Sequence, residues 1–330
     1  MPINMRLAYL QARPPCARLR CYFGNLSNMH NSALQAWKFS RFSNPNRRMA
    51  SVTKLMPSSI PQLVAADLDH ASQQHHVDNV YERLQQDGIL KISLGFADPD
   101  SQYLKQLVLS LHQQHDHQLP ISHSASRGWF WDVRPSKASF QTANHQARSE
   151  TMEKFPWHTD CSYEDLPPRY FALHVLQHDR RGGGTLSILN VQRLCESLSL
   201  STRTSLMRQE YSIKIPLEFI KDTMQQRIVG SLMAIDQDGQ PSMMRFRRDI
   251  LTPLTEKASS ALRELDISLE QARTQSQSTV HLTSSDIPAG SIILMDNRRW
   301  LHARNNINDP QRHLRRVRWD AVPFPCAHKE

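Results

Sequence analysis

From about Tyr170 onward the chain is a succession of short β-rich segments: "YFALHVLQ", "GTLSIL", "YSIKIPLEFI", "QRIVGSLMAID", "PSMMRFRRDIL", "STVHLTSSD", "GSIILMD" and "RRVRWDAV", most of them separated by turn residues. Strands this short cannot bury their apolar sides alone, so they must pair into sheets whose apolar faces meet. Helical spacing interrupts the series at "NVQRLCESLS", "STRTSLMRQEY" and "TEKASSALRELDISLEQAR". Upstream, "HVDNVYERLQQDGILKISL" reads as a helix stopped by Gly88 and followed by a strand from Ile89 to Leu94. "DPDSQYLKQLVLSLHQQHD" reads as a second helix with an Asp/Ser N-cap and Leu104, Leu107, Val108 and Leu111 on one side. The expected fold class is mainly β with helical insertions, in a double-sheet jelly roll.

Charge divides the chain more clearly than length does. The first 66 residues carry nine basic side chains and no acid, and Asp67 is the first carboxylate. The remaining 31 Lys and Arg balance all 31 Asp and Glu, so the net charge of +9 belongs entirely to the leader. A neutral body argues against nucleic acid as a partner despite the high pI. Two prolines in "MPSSIPQLV" precede the first mixed-charge sequence and suggest a boundary near Ile60, with residues 1–59 a basic leader and 60–330 a single domain.

An Arg-rich, acid-free N-terminus has the pattern of a mitochondrial transit peptide. The same residues also read as a disordered tail, or as an upstream extension if translation starts at Met29 or Met49. The expected location is mitochondrial or cytoplasmic. No stretch approaches the ~20 apolar residues of a membrane span. The expectation is a soluble protein with a small-molecule substrate and no membrane partner, its oligomeric state open, a homo-oligomer included. Five cysteines without any C-x-x-C pair fit free thiols in a reducing compartment.

"WHTDCSYED" (157–165) holds His158 and Asp160 two positions apart. In an extended segment these two share a face, and an imidazole beside a carboxylate suits a divalent first-row metal. Alone the pattern is weak: His76–Asp78 repeats it at a helix start, where capping is the better explanation. Further on, "HDRRGGGTLSIL" places Thr185 behind three glycines, which allow close approach of a ligand to the backbone or simply make a hairpin turn. In "PAGSIILMDNRRWLHARNNINDPQRHLRRVRWD" an apolar strand ends in a polar turn that delivers His302, and Arg312 and Arg316 follow. Arginine presents a planar fork matched to a carboxylate, although such a run also serves to protect a sheet edge.

The set H-T-D, G-G-G-T, D-N-R-R-W-L-H and R-H-L-R-R, in this order and spacing, resembles the taurine dioxygenase (TauD/TfdA-like) family of Fe(II)/2-oxoglutarate oxygenases, which includes γ-butyrobetaine hydroxylase. The similarity runs from roughly Asp87 to Asp320. It implies a double-stranded β-helix, cupin-like, and a single Fe(II)/2-oxoglutarate oxygenase domain over 60–330. It implies that His158, Asp160 and His302 bind iron and form the catalytic centre. Thr185 and Arg312 would bind the distal carboxylate of 2-oxoglutarate, and Arg316 either cosubstrate or primary substrate. The implied cofactor is Fe(II), with 2-oxoglutarate and O2 as cosubstrates and succinate and CO2 as products. A carboxylate at 160, where a halogenase needs a small residue, argues against halogenation.

The primary substrate matches no motif. "RGWFWDVRPS" (127–136) makes Arg127, Trp129 and Trp131 candidates for substrate contact, against plain core packing of the aromatics. Cys161, next to Asp160, reads as a buried small hydrophobe pointing to the opposite face of the strand. His112, His115 and His117 read as a solvent-facing patch. The expected reaction is hydroxylation of a small anionic or zwitterionic metabolite such as an amino acid, betaine or sulfonate. The alternatives are oxidative desaturation or cyclisation in a biosynthetic pathway, and a non-catalytic ligand-binding protein of the same fold.

Overall fold

In the computed structural model of the chain, the structure describes residues 60–122, 128–135, 146–274 and 279–325. The leader, Arg127, Cys16, Cys21 and Cys326 lie outside them. The strands are β1 (Gln62–Ala65), β2 (Ile89–Leu94), β3 (Trp131–Val133), β4 (Phe155–His158), β5 (Pro168–Gln177), β6 (Leu186–Asn190), β7 (Tyr211–Lys214), β8 (Arg227–Gly230), β9 (Met233–Ile235), β10 (Pro241–Met244), β11 (Leu251–Pro253), β12 (Thr279–Leu282), β13 (Ser291–Asp296), β14 (Trp300–Arg304) and β15 (His313–Ala321). The helices are α1 (Gln74–Gln86), α2 (Gln102–His115), α3 (Val191–Glu196), α4 (Leu200–Leu206) and α5 (Glu256–Thr274).

Two sheets carry the architecture. One has six strands in the order β1-β2-β13-β5-β15-β3, the other four in the order β12-β6-β14-β4. Strands distant in sequence are neighbours in both, and apart from the parallel β1–β2 pair the ladders are antiparallel. This is the double-stranded β-helix expected from the sequence. A three-stranded sheet (β11-β7-β8) and the β9–β10 hairpin come from the insertion after β6.

Period-2 alternation along the six-stranded sheet builds two cores from the same strands. Leu90, Ile92, Ala172, Ile292, Leu294, Val317 and Trp319 face α1 and α2 and join Val80, Leu84, Leu104, Leu107 and Leu111. Ile89, Phe171, Leu173, Ile293, Met295 and Leu314 face the four-stranded sheet and meet Leu186, Ile188 and Trp300. A third cluster buries the outer side of the four-stranded sheet under α3 and α5.

The two N-terminal helices follow their sequence signals. Gly88 ends α1 at φ 69°, a left-handed position that favours glycine, and a Cβ there would also come within 2.9 Å of Trp300 Nε1. Asp98 caps α2 by accepting from the N–H groups of Gln102 and Tyr103 at 2.8 and 2.9 Å.

Two side-chain expectations about the helix layer need correction. His76 does not cap a helix: its Nε2 lies 2.6 Å from the Tyr103 hydroxyl, while Asp78 accepts from Gln74 and faces His115. The histidines at the end of α2 are packed instead of solvated, because α1 and β5 lie against them. His115 stacks on Tyr81, and buried His117 stacks on Tyr170 and accepts from Trp319 Nε1 at 3.0 Å.

Candidate active site

The site begins with a ladder register. β14 runs antiparallel to β4 with His302 opposite His158, so residues 144 positions apart present their imidazoles side by side, ring centroids 4.1 Å apart. Asp160 closes the group: its Oδ1 lies 3.8 Å from His158 Nε2 and 3.7 Å from His302 Nε2. The three ligand atoms lie within 4.8 Å of one another, and all three residues are buried. His158 Nδ1 sits 2.8 Å from the Pro156 carbonyl. A carbonyl only accepts, so Nδ1 carries the proton and Nε2 offers its lone pair to the centre.

Burial, reinforced by His302, holds the His158 imidazole well below its ordinary pKa. For Asp160 burial acts upward, but Arg316, His302 and Arg318 outweigh it and keep the carboxyl well below its usual range. Two imidazoles and a carboxylate, buried and converging, are the donor set that suits Fe(II).

The D-N-R-R turn explains how Asp160 is held. Asn297 accepts from the Asp160 N–H at 2.7 Å and donates to the carbonyls of Asp160 and Pro168 at 2.9 Å each. Asp296 fixes the turn by accepting from the N–H groups of Arg298 and Arg299. Arg299 then donates to the last carbonyls of α1 at Gln85 and Gln86, a favourable place for a cation. One tetrapeptide thus ties the helix layer, the Asp160 loop and the strand that carries His302.

Cys161 corrects the sequence reading. β4 ends at His158, and Cys161 adopts φ 53°, so strand alternation no longer applies. Its thiol is buried beside the Arg318 guanidinium and lines the recess next to Asp160. Burial pushes that thiol up in pKa, which leaves it a poor nucleophile.

Between the sheets, a cavity of about 50 Å3 adjoins the triad and is walled by Phe155, Phe171, Leu186, Arg304, Arg312 and Arg316 among others. Arg316 pairs with Asp160 at 3.1 Å. Arg312 is buried, its Nη1 has no partner among the described residues, and burial aided by Arg304 brings its pKa down to about 9. Gly184 makes room for it: a Cβ there would stand 2.8 Å from Arg312 Nε. Thr185 follows that glycine but lines a neighbouring hollow with Ser187 and His281, which shares Phe155 and Arg304 with the triad cavity. A buried cation with an orphaned donor in a cavity calls for an anionic acceptor.

On the other side of Asp160, the recess lined by Cys161, Tyr163, Phe219 and Arg318 continues into a cavity of about 210 Å3 that also reaches Glu164, Glu218 and Lys221. Trp131 is fully buried on β3 opposite Arg316 and packs on Phe219, behind the wall and not in it. Trp129 is half-buried against the core under α1 and α2. The sequence reading missed Asn297, Arg304 and Arg318. The two arginines were within reach, since each stands two places beyond a named residue on one strand, His302 and Arg316, and so shares its face.

Residues 52–318 match the sequence model of the taurine catabolism dioxygenase TauD, TfdA family. Among solved structures, the chain is similar to an asparagine oxygenase in complex with Fe(II), 2S,3S-3-hydroxyasparagine and succinate (16% identity, 79% of this chain and 93% of that one, TM-score 0.56). It is also similar to the non-heme iron oxygenase OrfP, in complex with Fe, succinate and (3S)-hydroxy-L-Arg (17%, 76% and 83%, TM-score 0.54) and with Fe and alpha-ketoglutaric acid (16%, 78% and 84%, TM-score 0.55). These likenesses carry the fold. No curated protein matches the sequence. The family match spans most of the chain and the convergent triad lies inside it: the chain belongs to the taurine catabolism dioxygenase TauD, TfdA family and is an Fe(II)/2-oxoglutarate-dependent dioxygenase.

Proposed function

We propose that this protein hydroxylates a small anionic or zwitterionic metabolite on the scale of an amino acid. The observation that carries the reading is the pair of buried guanidiniums, Arg316 and Arg318, on the wall of the recess beside Asp160. Asp160 lies 3.1 Å from Arg316 and 4.0 Å from Arg318, and an anionic group on the substrate is favoured beside two guanidiniums. Glu218 at the outer cavity, beside the Glu164–Lys221 pair, suits a cationic far end. The similar asparagine oxygenase and OrfP structures, with hydroxyasparagine and hydroxyarginine bound, support a substrate of this size.

In this reading His158, Asp160 and His302 hold Fe(II), and Arg312 and Thr185 receive the distal carboxylate of 2-oxoglutarate. When bound, the iron supplies activation of O2, coupled to decarboxylation of 2-oxoglutarate to succinate and CO2. The protein supplies the geometry. The Pro156 carbonyl keeps the proton of His158 on Nδ1, Asn297 fixes the Asp160 backbone, and Arg316 keeps that carboxylate ionised. Phe155 and Phe171 cover the two imidazoles and exclude water.

A panel of amino acids, betaines and sulfonates, scored by succinate formed above the uncoupled background, tests the proposal. A substrate whose turnover collapses in Arg318→Met supports it. A panel on which only cationic or uncharged compounds are turned over would sink it.

The basic leader is proposed as a mitochondrial address preceding one oxygenase domain over 60–330. Its support is the nine basic residues before the first acid. Fractionation of cells expressing the full chain, with and without residues 1–59, tests it; an unchanged distribution overturns it. Among the described residues no helix is long and apolar enough to cross a membrane.

A further inference from the structure

Arg304 has no role in the reading above, yet its position is unusual for a structural arginine. It stands two residues after His302 on β14, so the two side chains share a face, and it lines both the triad cavity and the neighbouring hollow that Thr185 lines. Its ladder partners, Leu186 and Phe155, both line the cavity next to the triad. It is only 8% exposed. Its Nη2 donates to the carbonyls of Thr151 and Glu153 at 3.1 and 2.8 Å, which fixes the guanidinium plane. Its Nη1 is buried and has no partner among the described residues.

Arg312 lines the same cavity and also leaves its Nη1 without a partner there. Two like charges in one cavity repel, and a buried donor left without an acceptor is destabilising. Backbone carbonyls satisfy only half of Arg304. An acceptor with negative charge and two oxygens would satisfy both orphaned donors at once and cancel the repulsion. Two residues of strand advance about 6.8 Å, on the order of the reach of a five-carbon dicarboxylate held at its keto end beside His302.

We infer that Arg304 is a second cosubstrate-binding arginine: the distal carboxylate of 2-oxoglutarate lies between Arg304 and Arg312, and this pair sets selectivity for dicarboxylic over monocarboxylic 2-oxo acids. The inference rests on the reading of the cavity as the 2-oxoglutarate site and adds a residue to it.

The test is a binding ratio. Apparent affinities for 2-oxoglutarate and for 2-oxobutyrate, which lacks the distal carboxylate, are read from the visible charge-transfer band in anaerobic titrations of the Fe(II) protein. In Arg304→Gln the affinity for 2-oxoglutarate is expected to fall roughly 10- to 100-fold, as for loss of a charged hydrogen bond, with that for 2-oxobutyrate nearly unchanged. In metal-free protein, glutarate should raise Tm more than butyrate does, and the difference should shrink in the variant. A residue that only held Thr151 and Glu153 would lower Tm and leave the ratio alone; that result overturns the assignment. If Arg304→Gln fails to fold, Arg304→Lys reads the same ratio: an intermediate value supports the assignment, and a wild-type value overturns it. Wild-type protein without any preference for the dicarboxylate would overturn the cosubstrate reading as well, so the two failures are distinguishable.

Discussion

The two faces of the six-stranded sheet are made by alternate residues of the same strands, yet they are opposite kinds of environment. On β15, Val317 and Trp319 enter the layer under α1 and α2, an apolar cluster in which the buried His117 is paired with Trp319. Leu314, Arg316 and Arg318 enter the space between the sheets, where cations crowd one carboxylate and Arg304 and Arg312 each leave a donor without a partner. The first face is complete as it stands. The second is complete only with ligands bound, so the first must supply the stability that the second gives up.

Variants can break or sharpen this contrast. The largest effect is expected for His158→Ala, which should lose the charge-transfer band and reduce succinate formation to background while Tm stays close to wild type. Leu294→Ala, on the helix-backed face, should lower unfolding free energy by about 2–5 kcal/mol and leave 2-oxoglutarate affinity of the folded protein unchanged, as read by urea unfolding and by titration. Asn297→Ala should weaken Fe(II) binding by roughly 10- to 100-fold, the usual cost of losing support around a metal ligand, measured by competition with a chelator.

Acid should act through the sealed face. Burial lowers the pKa of His174, on β5 beside Ser101, to about 4, partly offset by Asp98. Its folded pKa is below the unfolded value of about 6.5, so the unfolded chain takes up the proton first. Stability is therefore full above that value and falls as pH drops from about 6.5 toward 4. Between pH 7 and pH 5 the loss from this group is about 2 kcal/mol, and His174→Gln should remove that part of the slope in urea unfolding. The smallest change in stability is expected for Arg312→Met, which removes a buried cation with an orphaned donor. Metal-free protein should gain about 1 kcal/mol or stay unchanged, while 2-oxoglutarate affinity collapses; a destabilised variant would show that the cation is already paired.

Much of this was legible in the sequence because it is local. Gly88 stopping α1, Ile89–Leu94 as a strand and Asp98 capping α2 each depend on a few neighbouring residues. The pairing of His158 with Asp160 followed from alternation, although a turn and not a strand carries the aspartate. The same alternation, applied once more, reaches Arg304 from His302 and Arg318 from Arg316. Cys161 was misread because its left-handed turn leaves no mark on a cysteine. The α2 histidines were misread because their partners, Tyr81 and Tyr170, come from other elements.

The sequence by itself determined the strand-rich fold class, the family and the residue types of the metal and anion sites, because these rest on spacing along the chain. It could not place His302 opposite His158, clamp Asp160 with Asn297 across 137 positions, or bring Arg304 and Arg312 to one cavity. Those relations are set by ladder register and by packing between sheets, where the neighbours of a side chain come from strands far along the chain.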